Sequence, residues 1–264
     1  MTIRNWRLKS KRATSCNLLC AIKNNQYVPT TLTITSYTSS DSWVAPAYVT
    51  SVEYLVVGGG GGGGGAFDTG SGGGGGGGLV LYGTLSVVPG NTYSVVVGAG
   101  GNGGTGIGNG GGDTNGSAGG LSSFGTINAL GGGGGNRSRS YGGGIGYGGS
   151  QANGLIAPTG GYGSDNRDSG KNGGGGGGNT SAGGSTTTTP EQSNIGGLGF
   201  ASNITGSSVT YGAGGVGGVR DNSLAGPAAT ANTGDGGQGA AAVSSDGKSG
   251  GNGGSGKVIL KYYV

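Results

Sequence analysis

The chain has 264 residues, and 76 of 264 are glycine, about 29%, against roughly 7% in ordinary proteins. Charged residues make up 9% and aromatics 6%, and there is no histidine. A conventional helix-and-sheet core cannot fill such a chain, because glycine disfavours helix by about 1 kcal/mol per residue relative to alanine. Collagen is excluded too, since the glycines come in solid runs without a Gly-X-Y period and prolines number six. The bland rival is a Gly/Ser-rich linker, and strand-like segments that run straight into the glycine tracts argue against it. No stretch approaches the ~18 apolar residues of a membrane span. No apolar run of signal-peptide length follows the basic amino terminus.

Arg4, Arg7, Lys9, Lys11, Arg12 and Lys23 all precede the first acid, Asp41, so residues 1–28 form an arm of charge +6. The remainder holds 14 − 6 = 8 basic and 10 acidic residues, a net −2. Basic residues interleaved with Trp6, Leu8, Leu18 and Leu19 suit docking on a protein surface at least as well as nucleic acid. A short helix is expected around Asn17–Lys23. Cys16 and Cys20, with no histidine and no other cysteine, cannot complete a four-ligand zinc site. They read as reduced thiols in a chain made in the cytoplasm.

From Thr30 the pattern becomes β. Thr30–Thr38 alternates and is rich in β-branched residues. A polar turn at Ser39–Ser42 leads to Trp43-Val44-Ala45-Pro46, and Ser51–Val57 reads as a strand entering Gly58–Gly65. After Gly72–Gly78, the runs Leu79–Val88 and Thr92–Val97 flank Pro89-Gly90-Asn91, which predicts a hairpin. Leu121–Leu130 ends in Gly131–Gly135, and Gly173–Gly178 is a further tract. Weak strand candidates lie at Ile195–Phe200 and Ser207–Tyr211, and Lys257–Val264 reads as a terminal strand.

Ordered glycine tracts must pair every N–H and C=O. Extended left-handed helices with three residues per turn and ~3.1 Å rise do this when packed side by side. The tracts at 58–65, 72–78, 131–135 and 173–178 have lengths suited to one such bundle. The fold expected is therefore all-β: a small sandwich or sheet continuous with packed polyglycine helices, with essentially no α-helix after residue 30. The breaks at 136–171, 179–194 and 220–235 would be loops at the bundle ends. They hold Tyr, Arg, Asn and Ser, the residue types that binding loops favour on rigid scaffolds.

Several motifs fail. G-x-G-x-x-G windows are expected by chance here and lack a helix after them. Gly247-Lys248-Ser249 resembles the end of a phosphate loop, but the required glycine position is Ala242. Calcium β-roll repeats need aspartate at a fixed nine-residue period, and Asp113, Asp165, Asp168, Asp221, Asp235 and Asp246 are irregularly spaced. Without histidine, a Ser-His-Asp or Cys-His site is impossible. Asp165 and Asp168 flank Arg167 without apolar surroundings to raise a carboxyl. No catalytic residue, cofactor or metal is expected.

Ser42–Pro46 with Val49–Val57 and its following glycines resembles the opening of a glycine-rich domain of bacteriophage tail and tail-fibre proteins. Ser86–Gly101, Ser122–Gly135 and Gly253–Tyr262 resemble its later landmarks. The similarity covers about residues 30–264, and the tracts with variable loops are similar to the polyglycine tip adhesins of T-even-type phage long tail fibres. The resemblance implies a non-enzymatic virion protein that binds a bacterial surface receptor, an outer-membrane protein or glycan, through loops. Arg137, Arg139, Tyr141, Tyr147, Tyr162 and Arg167 are the contact residues expected, tyrosine by stacking and hydrogen bonding, arginine by ion pairing. The arm lies outside the resemblance. Its Arg4, Trp6, Arg7, Lys9, Lys11 and Arg12 are expected to attach to other tail or fibre proteins, the chain being a homo-oligomer such as a trimer or a single copy on a trimeric fibre. Neither nucleic acid nor membrane insertion is expected. The alternative is a structural virion component, a capsid fibre, decoration or tail-assembly protein, that uses the bundle as a spacer.

Overall fold

A computed structural model describes residues 21–23, 26–28, 30–68, 70–108, 112–138, 173–184, 194–219 and 223–264. The described residues contain strands and no helix. In chain order the strands are β1 (Ala21–Lys23), β2 (Gln26–Val28), β3 (Leu32–Tyr37), β4 (Asp41–Val44), β5 (Ser51–Val57), β6 (Ala66–Asp68), β7 (Val80–Ser86) and β8 (Thr92–Val96). There follow β9 (Gly106–Ile107), β10 (Gly112–Asp113), β11 (Ser122–Phe124), β12 (Ile127–Ala129), β13 (Phe200–Ser202), β14 (Val209–Tyr211), β15 (Ser244–Lys248) and β16 (Lys257–Tyr263).

Two four-stranded antiparallel sheets, ordered β3-β16-β5-β7 and β12-β11-β8-β4, enclose one core. Trp43 is its hub. Its ring centroid lies 5.8 Å from Phe124, 5.8 Å from Tyr93 and 5.2 Å from Tyr262 of the facing sheet. Such aromatic contacts add to the stabilisation from burial alone. The outer face of the first sheet is covered near the glycine tracts by the β13–β14 hairpin. Ile204 and Tyr211 pack on Leu55, Val57, Val80 and Ile259, and Phe200 stacks on Tyr82 at 5.0 Å. A strand covered on both faces reads as a continuous apolar run. For that reason the alternation of β5 lapses at Tyr54-Leu55-Val56-Val57, all buried.

Beyond the sheets the described chain is held chiefly by backbone hydrogen bonds. The amides of Gly58, Gly61 and Gly64 donate to Leu79, Gly76 and Gly73. Those of Gly59, Gly62 and Gly65 donate to Gly120, Ser117 and Thr114, and those of Gly60 and Gly63 to Gly254 and Gly251. The carbonyls rotate likewise among three further segments: Gly60 and Gly63 accept from Gly101 and Gly104, Gly59 and Gly62 from Gly132 and Gly135, and Gly61 and Gly64 from Gly237 and Ala240. Tract 58–65 therefore has six neighbours, and its donors return to the same neighbour every third residue, at 2.8–3.0 Å. The backbone bonding of the tract thus repeats with a period of three residues.

The steric consequence is severe. A methyl group built at any position from Gly58 to Gly65 would sit 1.9–2.3 Å from a carbonyl oxygen of a neighbouring segment. Only glycine fits the centre.

Segments at the periphery obey a looser rule. They carry a side chain at every third position, where the chain faces outward: Ala99, Asn102 and Thr105; Ala213, Val216 and Val219; Ser249, Asn252 and Ser255; Ile195 and Leu198. All of these are exposed or half-buried. Much of what reads as interruption in the sequence is thus bundle. Residues 98–105, 114–120, 212–219, 234–240 and 249–256 join the tracts that were expected.

Four local expectations are corrected. Leu79–Val97 is not a hairpin. Strand β7 pairs with β5, and β8 pairs with β4 and β11 in the other sheet. The Pro89-Gly90 turn instead crosses between sheets, its Gly90 amide bonded to Ala45 O (2.8 Å). Leu121–Leu130 is two strands around Gly125, whose φ of 56° suits glycine. Ala21–Lys23, at the end of the expected helix, is a strand paired with β2. Ile195–Phe200 is strand only at Phe200, because Ile195–Leu198 lies in the bundle.

Candidate functional site

The tracts run away from the sandwich and back, so the bundle has a sheet end and a distal end. Side chains cap the sheet end. Asn179, fully buried, accepts from the Val80 amide (3.0 Å) and donates to the carbonyls of Gly78 (2.5 Å) and Gly212 (3.2 Å). It thereby satisfies the backbone where tract 72–78 becomes β7. Ser122 Oγ accepts from the Gly98 amide (2.9 Å), and Asp235 Oδ1 accepts from the Ala213 amide (2.8 Å). Burial raises the Asp235 carboxyl above its ordinary value, outweighing the hydrogen bonds from the Ala213 amide, Thr233 and the Gly212 amide.

Opposite lies the distal end, and the described flanks of several segments converge there. Ser138 donates its amide to Gly65 O (3.1 Å), and Gly218 donates to Gly72 O (2.9 Å). Gly173 donates to Gly218 O (2.8 Å), and Gly217 donates to Asn194 O (2.7 Å). The flanks of segments 139–172 and 185–193 therefore share one end of the bundle. Leu224, paired with Ala241, and Gly106–Ile107 beside β15 lie there as well.

The flank that ends at Ser138 is held by several side chains. Ser138 Oγ hydrogen-bonds Asp113 Oδ2 and accepts from the Phe67 amide (3.3 Å). Asn115 Oδ1 accepts from the Arg137 amide (2.9 Å), and the Arg137 guanidinium donates to Asp113 O (3.4 Å). Asp113 is buried, and its Oδ1 has no hydrogen-bond partner among the described residues.

Of the expected contact residues, Arg137 stands exposed at this base. Arg139, Tyr141, Tyr147, Tyr162 and Arg167 lie outside the described residues. So do the arm residues Arg4, Trp6, Arg7, Lys9, Lys11 and Arg12. The expected loop 220–235 is divided: Gly226 and Ala229 bond along the bundle to Ser249 and Asn252, and residues 231–234 turn at the sheet end. Asn179, Asp113, Asn115 and Ser138 were missed by sequence reasoning. Two of them carried a signal: Asn179 and Asp113 are single polar residues directly beside a glycine tract.

Among the described residues no three of His, Cys, Asp and Glu group as a metal could require, and no helix is long and apolar enough to cross a membrane.

An all-β sandwich that continues into a glycine bundle defines the class of this protein. A glycine-rich domain family matches residues 34–263, and the chain belongs to that family. No curated protein matches it.

Proposed function

We propose that the chain is a non-enzymatic phage virion protein, an adhesin of tail or tail fibre that contacts a bacterial surface receptor during host adsorption. The observation that carries this reading is the convergence, at the end of the bundle away from the sandwich, of the described residues that flank segments 139–172 and 185–193. Rigid scaffold and clustered loops are the arrangement on which binding residues are generally found. The resemblance to tail-fibre domains supplies the biological setting. In this reading Arg137, Arg139, Tyr141, Tyr147, Tyr162 and Arg167 meet the receptor, an outer-membrane protein or surface glycan. The arm, with Arg4, Trp6, Arg7, Lys9, Lys11 and Arg12, joins other virion proteins, and the particle carries the chain as a trimer or as one copy on a trimeric fibre.

The test is a virion in which residues 139–171 are exchanged for a Gly/Ser loop. Adsorption should fall at least tenfold while the purified protein keeps its melting temperature. Undiminished adsorption would favour the spacer role instead.

A further inference from the structure

The edges of the two sheets are not alike. On one side of the sandwich β7 lies beside β12, and the Leu79 amide bonds Leu130 O (2.9 Å) from one sheet to the other. The opposite side is formed by β3 and β4. Strand β4 is only four residues long and begins at Asp41, and shortness and charge both discourage an edge from pairing. Strand β3 has six residues, pairs with β16 alone among the described residues, and carries no charge, proline or bulge. Thr31 and Val264 exchange both backbone bonds (3.0 and 2.9 Å), and the register continues with Thr33 opposite Tyr262, Thr35 opposite Leu260 and Tyr37 opposite Val258. In an antiparallel pair such hydrogen-bonded positions alternate with non-bonded ones. The amides and carbonyls of Leu32, Ile34 and Ser36 therefore point away from β16, toward the free edge.

We infer that this edge is closed by β3 of a second copy of the chain, in an antiparallel, twofold-symmetric pair centred on Ile34. The register follows from the strand itself. Only residues whose backbone faces the free edge can exchange bonds, so Leu32, Ile34 and Ser36 must meet residues of the same set. An axis at Ile34 uses all three: Ile34 meets Ile34, and Leu32 meets Ser36 of the second copy. Thr33 then faces Thr35, a cross-strand pair of a kind that stabilises sheets.

Side chains and charge fit the same register. Leu32 and Ile34, 46% and 39% exposed, come together from both copies on the outer face, where diagonal neighbours also touch. No charge opposes the approach. Lys261, beside Ile34 on β16, is paired with Glu53 (2.9 Å), and Asp41 lies beyond the Tyr37 end, away from the axis. Strand β3 is thus complementary to itself, as a twofold interface requires. A twofold pair is a different assembly from a trimer, so the inference goes beyond the receptor reading and does not depend on it.

The full chain tests this with one new cysteine at a time, in a Cys16→Ser/Cys20→Ser background. Hydrogen-bonded partners in an antiparallel pair have Cα atoms about 5.5 Å apart, within the span of a disulfide. Ile34→Cys, on the axis, should therefore oxidise to a covalent dimer. In Leu32→Cys the two cysteines are offset along the strands by about 14 Å. That variant should give at least about tenfold less dimer, although Leu32 is the more exposed residue. In the wild type, exchange of the Leu32, Ile34 and Ser36 amides should slow as protein concentration rises. Thr33, Thr35 and Tyr37, bonded to β16, should not change and so report an intact sheet. Equal dimer yields from the two cysteine variants overturn the inference. So does edge-amide exchange that is independent of concentration, whether fast, as in a lone chain, or slow, as under a segment of the same chain.

Discussion

The sandwich and the bundle bury their chains by opposite means. In the sandwich side chains fill the interior: Leu55, Val56, Ile259, Leu260 and Phe124 are fully buried, and backbone bonds run only between neighbouring strands. In the bundle the backbone is the interior. Tract 58–65 has no side chain at all and is surrounded by six segments, each reached through a peptide group. Glycine loses more conformational freedom on folding than any other residue, so the bundle depends on complete pairing of those groups. The contrast teaches that a core is defined by close packing, whichever atoms supply it. It also predicts opposite mutational rules. The sandwich is harmed by losing atoms and the bundle by gaining them.

Four substitutions sharpen that contrast. Gly61→Val and Gly75→Val should have the largest effect. Their added Cβ atoms would lie 2.0 Å from Gly133 O and 2.1 Å from Gly61 O. Because backbone carbonyls cannot rotate aside, each should cost more than about 3 kcal/mol, beyond the common range for overpacking. Calorimetric unfolding measures this, and failure to obtain folded protein at 37 °C fits the same expectation. Next comes Leu55→Ala, which opens a cavity between two apolar layers and should cost about 2–5 kcal/mol in denaturant unfolding.

Asn179→Ala should cost about 1–3 kcal/mol, the usual penalty for buried groups left unpaired. It orphans the Val80 amide and one bond each at Gly78 O and Gly212 O. Its loss should appear first as faster exchange at Val80, the joint between bundle and sheet.

The smallest effect is one of pH. Asp235 has a folded pKa raised above 3.8, chiefly by burial. Such a group favours the fold below the unfolded value, and that contribution is lost as pH rises through the folded value. The melting temperature should therefore decline from about pH 3.8 upward by this contribution. Asp235→Asn should flatten that part of the profile. An unchanged slope would show that the carboxyl is better solvated than its position implies.

The sandwich was largely legible in the sequence, because alternation and β-branching mark β3, β5, β8 and β16 directly. Pairing was less so. The Pro89-Gly90 turn joins two apolar runs as a hairpin would, yet β5 and β4 compete for them, and local turn chemistry does not record that competition. The central tracts were legible as solid glycine. The outer segments were overlooked because Asn102, Val216 and Asn252 look like interruptions. Their spacing is the missed signal: Gly98–Thr105, Gly212–Val219 and Gly250–Gly256 each place a side chain at every third residue, where a peripheral segment faces outward. The distal corner of Asp113, Asn115 and Ser138 was not legible as a cluster, since Ser138 lies 25 residues from Asp113 and meets it only through the register of the bundle.

One measurement goes to the centre of the account. Gly61→Ala adds a single methyl group inside the bundle, where a carbonyl oxygen stands at 2.0 Å. Gly90→Ala adds the same group at a turn with φ of 82° and nothing within 4 Å. The second should lose only about 1–2 kcal/mol, from the left-handed backbone, or roughly 2–8 °C in melting temperature. The first should lose clearly more, because the methyl has nowhere to go. Equal melting temperatures for the two variants would contradict the claim that the glycine backbone is itself the core.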